Sequence, residues 1–246
     1  EIASCLVGSE MCIRDSTHTV LRMQDDAASY LGGDQGVVRV AAPKSAVIQF
    51  MPRDIERCAA ACPGVRIDLQ EMNSQVVQQA LRRGTVDIGI YEASLGAIDL
   101  PMLPYRGDEL VAVTARGHAL AGRREVVLED ILACDLIVLN EGSAISLMLA
   151  RLADETGQLL RMRMRVGGFD SIAALVAQDL GIGVMPAAIA RHVAAGSRFA
   201  RLPIRGDWAR RQFVLCHRAG DSLSRAAASV ARVLADTQNA NPASPK

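Results

Sequence analysis

A chain of 246 residues that is 50% hydrophobic but only 3% aromatic can build an aliphatic core, and is long enough for one large domain or two smaller ones. It offers few aromatic rings for stacking single-stranded DNA or RNA, and 27 basic against 27 acidic residues leave no charge excess for gripping a nucleic acid by itself. No apolar run approaches the roughly 20 residues that span a bilayer, so no membrane partner is expected.

Residues 1–16, EIASCLVGSEMCIRDS, show no period and lack the basic start and apolar stretch of a secretion signal. Glu10–Ser16 reads as the translation of a transposon end used in sequencing libraries, so native sequence is expected to begin near Thr17. A native disordered tail is the alternative. Val20, Met23, Ala27 and Leu31 have helical spacing, and Gly32-Gly33 ends that helix.

A clear alternation follows. Strand 37–42 leads into a helix that Ser45 can cap, running to about Cys62 and stopped by Pro63-Gly64. Strand 65–72 alternates apolar and polar residues. Asn73-Ser74 opens a helix to Arg83, closed by Gly84, and strand 86–92 follows. This β-α-β-α-β order implies a mainly parallel sheet with helices on both faces. The middle repeats it: strand 109–115, short helix 128–133, strand 135–140, helix 143–156 and half-exposed strand 161–167. Next come helix 170–181, with Asp170 as N-cap and Gly181 as stop, buried strand 182–186 and another short helix. Strands near 199–204 and 211–218 and a helix at 222–237 complete the chain, with 239–246 expected to be a disordered tail. Two α/β units without a linker predict two lobes joined by crossing strands, with the ligand site in the cleft between them.

Cys5, Cys12, Cys58, Cys62, Cys134 and Cys216 include no C-x-x-C pair. Cys58 and Cys62 share a helix face, but no His or second Cys pair lies nearby in sequence. They read as buried thiols in a reducing, cytoplasmic compartment, with no metal or other cofactor expected. There is no Gly-x-Ser-x-Gly elbow and no Gly-x-x-x-x-Gly-Lys-Ser/Thr loop. His118 is read as a loop residue rather than a catalytic one. The chain is therefore not expected to be an enzyme.

The order and spacing of several pieces carry a resemblance. VLRMQDDAASYL, Gly-Gly and VVRVAA are followed by a Ser after strand one, a Pro within the helix, a Pro before strand two and a Gly-x-x-Asp opening strand three. LPYRGDELVAVTARGHALA and FDSIAALVAQDLGIGVMP complete the set. From about Thr17 to Thr237 the chain resembles the effector-binding domain of the LysR-type transcriptional regulators. The resemblance implies a two-lobed type 2 periplasmic-binding-protein-like α/β fold, with two mainly parallel sheets. In those terms 17–33 is the end of a linker helix, 34–108 with 205–238 is one regulatory lobe, and 109–204 is the other. It also implies a small-molecule effector, a homodimer or tetramer, and DNA binding only through an N-terminal winged helix-turn-helix that this chain lacks. An extracytoplasmic solute-binding protein of the same fold is the alternative.

Helix N-termini gather at the carboxyl ends of parallel strands and present unpaired N–H groups with partial positive charge. Four termini are expected at the cleft: Ser45, Ser74, Ser143 and Asp170-Ser171. A small carboxylate suits them, and the resemblance matches Ser45 and Ser74 to the family's hydroxyls that hold an effector carboxylate. Lys44 adds charge, Phe169 an apolar wall, and Asn140 a loop amide, while Tyr91 and Glu92 at the end of strand three line the cleft or its hinge. The serines read equally as N-caps, each worth about 1 kcal/mol, and Phe169 as core. Glu141 disfavours a nearby anion, so ligand charge stays open.

Overall fold

The computed structural model describes residues 36–140, 142–193, 199–218 and 223–236. The expected helix at 17–31, the segment 1–16 and the tail 239–246 lie outside them.

The first half of the alternation is present: β1 (Gly36–Ala42), α1 (Lys44–Gln49), α2 (Met51–Ala61), β2 (Val65–Glu71), α3 (Ser74–Arg83) and β3 (Ile88–Glu92). β1 lies between β2 and β3 and is parallel to both. α3 buries Val77, Ala80 and Leu81, whose i, i+3, i+4 spacing gives it one apolar face. It ends at Gly84, whose φ of 68° is the left-handed turn that glycine adopts without strain. The single helix expected from Ser45 to Cys62 is in fact two. Phe50 forms a turn between them, its φ of −118° well off the regular helical value, and Pro52 stands in the first turn of α2. A proline has no N–H to donate, and only a first turn can carry one at no cost.

β4 (Met102–Ala115) is the longest strand, twice what its sequence suggests, because Pro104, Gly107 and alternating charges disguise its first half. That half runs antiparallel to β9 (Arg210–His217) as far as the pair Glu109 with Arg210. From Leu110 onward β4 pairs instead with β7 (Ile182–Pro186), and from Val111 also with β8 (Phe199–Pro203). One strand thus serves two sheets. The second sheet is completed by β5 (Leu136–Leu139), parallel to β6 (Met162–Val166) and β7. Its helices are α4 (Leu128–Leu132), α5 (Ala144–Glu155), α6 (Phe169–Ala177) and α7 (Ala187–Val193). α8 (Arg225–Ala235) returns to the first sheet and packs on β1 and α2. The fold is α/β, with two sheets that each have a parallel core and are joined by crossing strands. Each has its own aliphatic core, around Val38, Val40, Ile88 and Ile90 in the first and Leu136, Ile137, Ile172 and Val184 in the second. No helix among the described residues is long and apolar enough to cross a membrane.

Polar groups are buried where the sheets join. The Arg211 side chain, 2% exposed, faces Asp108 directly across the β4–β9 pair. Its Nε and Nη2 donate to the two Asp108 carboxylate oxygens, the first at 2.8 Å, and Nη1 reaches Glu92 Oε2 at 3.4 Å. The guanidinium lies over the Phe213 ring, 5.1 Å from its centre. Gln49 at the end of α1 donates to the same Asp108 at 2.8 Å. A second cluster centres on fully buried Asp54, which accepts from the Tyr105 hydroxyl and, at 2.6 Å, from Arg106 Nη2. Burial first, then the Asp54 charge, pushes the Tyr105 hydroxyl well up, so it remains a donor. Phe50, at the break between α1 and α2, meets Tyr105 and Phe213 edge-on at 5.9 and 5.8 Å.

Gly181, expected as a helix stop, has another role. α6 already ends at Ala177, and Asp179 takes the left-handed turn at φ 57°. Gly181 has φ 147°, and a Cβ there would lie 2.6 Å from the Asp135 carbonyl oxygen. That carbonyl accepts the Ile182 N–H at 2.9 Å, which starts β7 beside β5.

Two predictions follow from these contacts. Gly181→Ala should cost about 1–3 kcal/mol in urea denaturation, whereas Gly117→Ala, with nothing within 4 Å of the new methyl, should stay within about 0.5 kcal/mol. Equal costs would remove the close-approach argument. Arg211→Met should cost about 3–5 kcal/mol because it strands buried carboxylates, and adding Asp108→Leu should recover part of the loss. A single-variant cost below about 1 kcal/mol, the level of an exposed pair, would show that the ion pair does not hold the junction.

Candidate functional site

The carboxyl ends of β1, β2, β3, β5 and β6 open on a cavity of about 290 Å³ between the two sheets. The first sheet's side contributes Lys44 and Ser45 from α1, Asn73 and Ser74 from the start of α3, Glu92 from the end of β3, and Arg211 and Phe213 from β9. The other side contributes Leu139 and Asn140 from the end of β5, Ser143 to Ile145 from the start of α5, and Gly167 and Phe169 from the start of α6. The geometry collects N–H donors from helix starts and hydroxyls from three serines, the donor set that favours an anionic or strongly accepting group.

Each serine's local role differs from a plain cap. Pro43 occupies the N-cap of α1, so Ser45 lies inside the helix as its second residue. Ser45 is 6% exposed and lines the cavity, and its carbonyl oxygen accepts from the Gln49 amide at 3.1 Å. Asn73 caps α3, its Oδ1 accepting the Val76 N–H at 2.9 Å. Ser74 is released from capping, and its hydroxyl takes the Glu92 N–H at a long 3.4 Å. Ser143 does occupy the N-cap of α5, yet makes no side-chain capping bond. Lys44 lines the cavity, but its ammonium lies 2.7 Å from Glu71 Oε1, so its charge is already paired at the cavity rim. Phe169 is both wall and core, buried in the second sheet's cluster.

Two expected residues are placed elsewhere. Tyr91 is fully buried on the opposite face of β3, its hydroxyl 3.0 Å from Met102 Sδ and near Cys216. Successive strand residues face opposite ways, so Glu92 lines the cavity and Tyr91 cannot. Burial pushes the Tyr91 hydroxyl up to about 12. Asp170 is exposed and is not the N-cap of α6. Gly168 is, which makes Asp170 the second helical residue and turns it away from the cavity that Phe169 faces.

Glu92 was placed at the cleft or its hinge by its strand end, but Arg211 and Phe213 have no local sequence signal. Their position follows from a pairing 103 residues long. Gly142 has φ 83°, and a Cβ there would lie 2.4 Å from the side-chain amide nitrogen of Asn73, which lines the cavity. His118 stays in its loop, Nδ1 accepting the Leu120 N–H at 3.2 Å. Among the described residues no group of three His, Cys, Asp or Glu side chains could hold a metal. Cys58, Cys62 and Cys216 are buried, and burial pushes the Cys58 thiol up to about 11.

The sequence is similar to a RuBisCO operon transcriptional regulator of Allochromatium vinosum, 25% identical over 205 residues that cover 83% of this chain and 68% of that one. Other curated relatives are matched over about half of their length, 52% in one case. In three dimensions the chain is similar to the Synechocystis PCC6803 CcmR regulatory domain in complex with 2-PG, at a TM-score of 0.75 and 24% identity over 85% of this chain and all (100%) of that one. It is also similar to the effector-binding domain of QuiR in complex with shikimate, at a TM-score of 0.73 and 18% identity over 84% and 99% of the two chains. The family model described as the LysR substrate binding domain matches residues 31–239. The chain belongs to the LysR substrate-binding-domain family.

Proposed function

We propose that this chain is the effector-sensing part of a LysR-type transcriptional regulator, and that a small carboxylate-bearing organic molecule occupies the cavity between its lobes. The observation that carries the reading is the cavity itself, which Ser45, Ser74 and Ser143 line together with the starts of α3 and α5. Hydroxyls that face a cavity are donors a ligand acceptor can use, and a hydrogen bond to a charged group is worth about 1.5–3 kcal/mol. The lobes in this reading are 34–108 with 205–238, and 109–204. A ligand that touches both can shift their relative arrangement, provided it binds one arrangement better than another.

Several features of the regulator lie in the complete protein and are part of the proposal. DNA is bound through an N-terminal winged helix-turn-helix, the assembly is a homodimer or tetramer, and the protein works in the cytoplasm. It senses and does not turn over its ligand. Support comes from the family and from the relatives, which are named as transcriptional regulators.

A thermal-shift screen of small organic acids, followed by calorimetric titration of the best, tests the site. Ser45→Val should weaken binding about tenfold or more, the worth of one hydrogen bond to a charged group, and leave the ligand-free melting temperature nearly unchanged. Unchanged affinity would remove Ser45 from the site, and conversion of the ligand to product would replace the sensor by an enzyme.

A further inference from the structure

The β3–β9 wall of the cavity carries unbalanced charge. Glu92, Asp108 and Arg211 have side chains 3%, 4% and 2% exposed, so two carboxylates share one guanidinium away from water. The sharing is unequal. Arg211 gives two nitrogens to Asp108, and Gln49 adds a third donor there. Glu92 is left with the Ser94 hydroxyl on Oε1 at 2.8 Å and only the 3.4 Å contact from Arg211 on Oε2. Charge-assisted bonds of this type normally close to about 2.7–2.9 Å, and a carboxylate can accept roughly four hydrogen bonds. Glu92 is therefore a buried, under-partnered acceptor, on the same cavity as Ser45.

We propose that Glu92 determines specificity in this cavity by accepting a hydrogen bond from the ligand, so that the preferred ligand carries a hydroxyl or ammonium donor besides its carboxylate. This rests on the reading of the cavity as an effector site. A hydroxyl gains a bond to an ionised acceptor, and an ammonium also balances the surplus negative charge of the wall. A second carboxylate placed there meets Glu92 as a like charge and is rejected. Selection is thus for hydroxy and amino acids over plain monoacids and diacids.

Matched probes on one carbon skeleton test this by calorimetric titration: lactate, alanine and propionate; 4-hydroxybutyrate, 4-aminobutyrate and butyrate; phenyllactate, phenylalanine and 3-phenylpropionate. In a set that binds, the hydroxy or amino member should bind at least tenfold tighter than the plain acid, and which of the two leads tells hydroxyl from ammonium. Glu92→Gln should erase that margin while leaving the plain acid within about twofold, because only a ligand group in contact with Glu92 is coupled to the substitution. If Glu92→Gln does not fold, Glu92→Asp keeps the charge beside Arg211 but withdraws the carboxylate by one methylene, and should shrink the margin. Plain acids that bind as tightly as their substituted partners, or a margin that survives both variants, overturn the assignment of Glu92. If they bind with sensitivity to Ser45→Val but without a margin, the effector site stands and only this inference falls. If no member of any set binds, the carboxylate reading falls with it.

Discussion

The Arg211–Asp108 pair sits where one molecule becomes two sheets. β4 must leave β9 after Glu109 and join β7 from Leu110, and the charged pair lies one register step before that exchange. A guanidinium buried there is costly by several kcal/mol unless its donors are used. They are used, by Asp108, Glu92 and the Phe213 ring. Because the partners come from β3, β4 and β9, satisfying this one side chain fixes three strands relative to one another. Gln49 extends the same constraint to the end of α1. Phe50, freed from the helix by the break before Pro52, then wedges between Tyr105 and Phe213. The helix break is thus part of how the first sheet is locked to the crossing strands.

That locking decides what faces the cavity. At the starts of α1 and α3 the capping position is taken by a neighbour, Pro43 or Asn73. A serine at the cap position would spend its oxygen on its own helix. Ser74 lies one residue and Ser45 two residues past the cap, where the oxygen is released from that role, and both line the cavity. Asn73 caps α3, and its side-chain amide lies where a Cβ at Gly142 would project. A Cβ at Gly142 would be strained at its positive φ and would require the Asn73 side chain to shift.

Much of the architecture was legible because it rests on local chemistry. The alternation of strands and helices, the Gly84 turn and the strand at 182–186 each follow from period and punctuation within a short window. Where the sequence misled, a longer-range cause had taken over. The first half of β4 reads as loop because Pro104 and Gly107 are poor strand residues, and antiparallel pairing with β9 overrides them. Tyr91 and Glu92 could not be assigned to faces from sequence, since β3 is buried on both sides and its apolar run carries no alternation to read. The N-cap of α6 lies two residues earlier than Asp170, at Gly168, and at about 100° per residue that shift takes Asp170 out of the capping position and away from the cavity. Arg211 lies in a strand whose pattern resembles any other. Its burial depends on a carboxylate 103 positions away, which no local window contains.

The cavity's charges also change how recognition should be understood. Lys44 is held by Glu71, and Arg211 by Asp108 and Glu92. Neither cation is surplus, so the cavity does not act as a positive hole that draws in any anion. What remains for a ligand is a set of fixed, neutral donors, the serine hydroxyls and the helix-start amides, beside one under-satisfied carboxylate. Neutral donors attract less at long range than a free cation, but they are directional, and a ligand group that leaves them unpaired forfeits their full desolvation cost. Discrimination in such a site comes from whether each buried group finds its complement. In the proposed effector site, the same junction that holds the sheets together also sets the terms of selectivity, because the Arg211 contacts that stabilise Asp108 are the ones that leave Glu92 with a single long one.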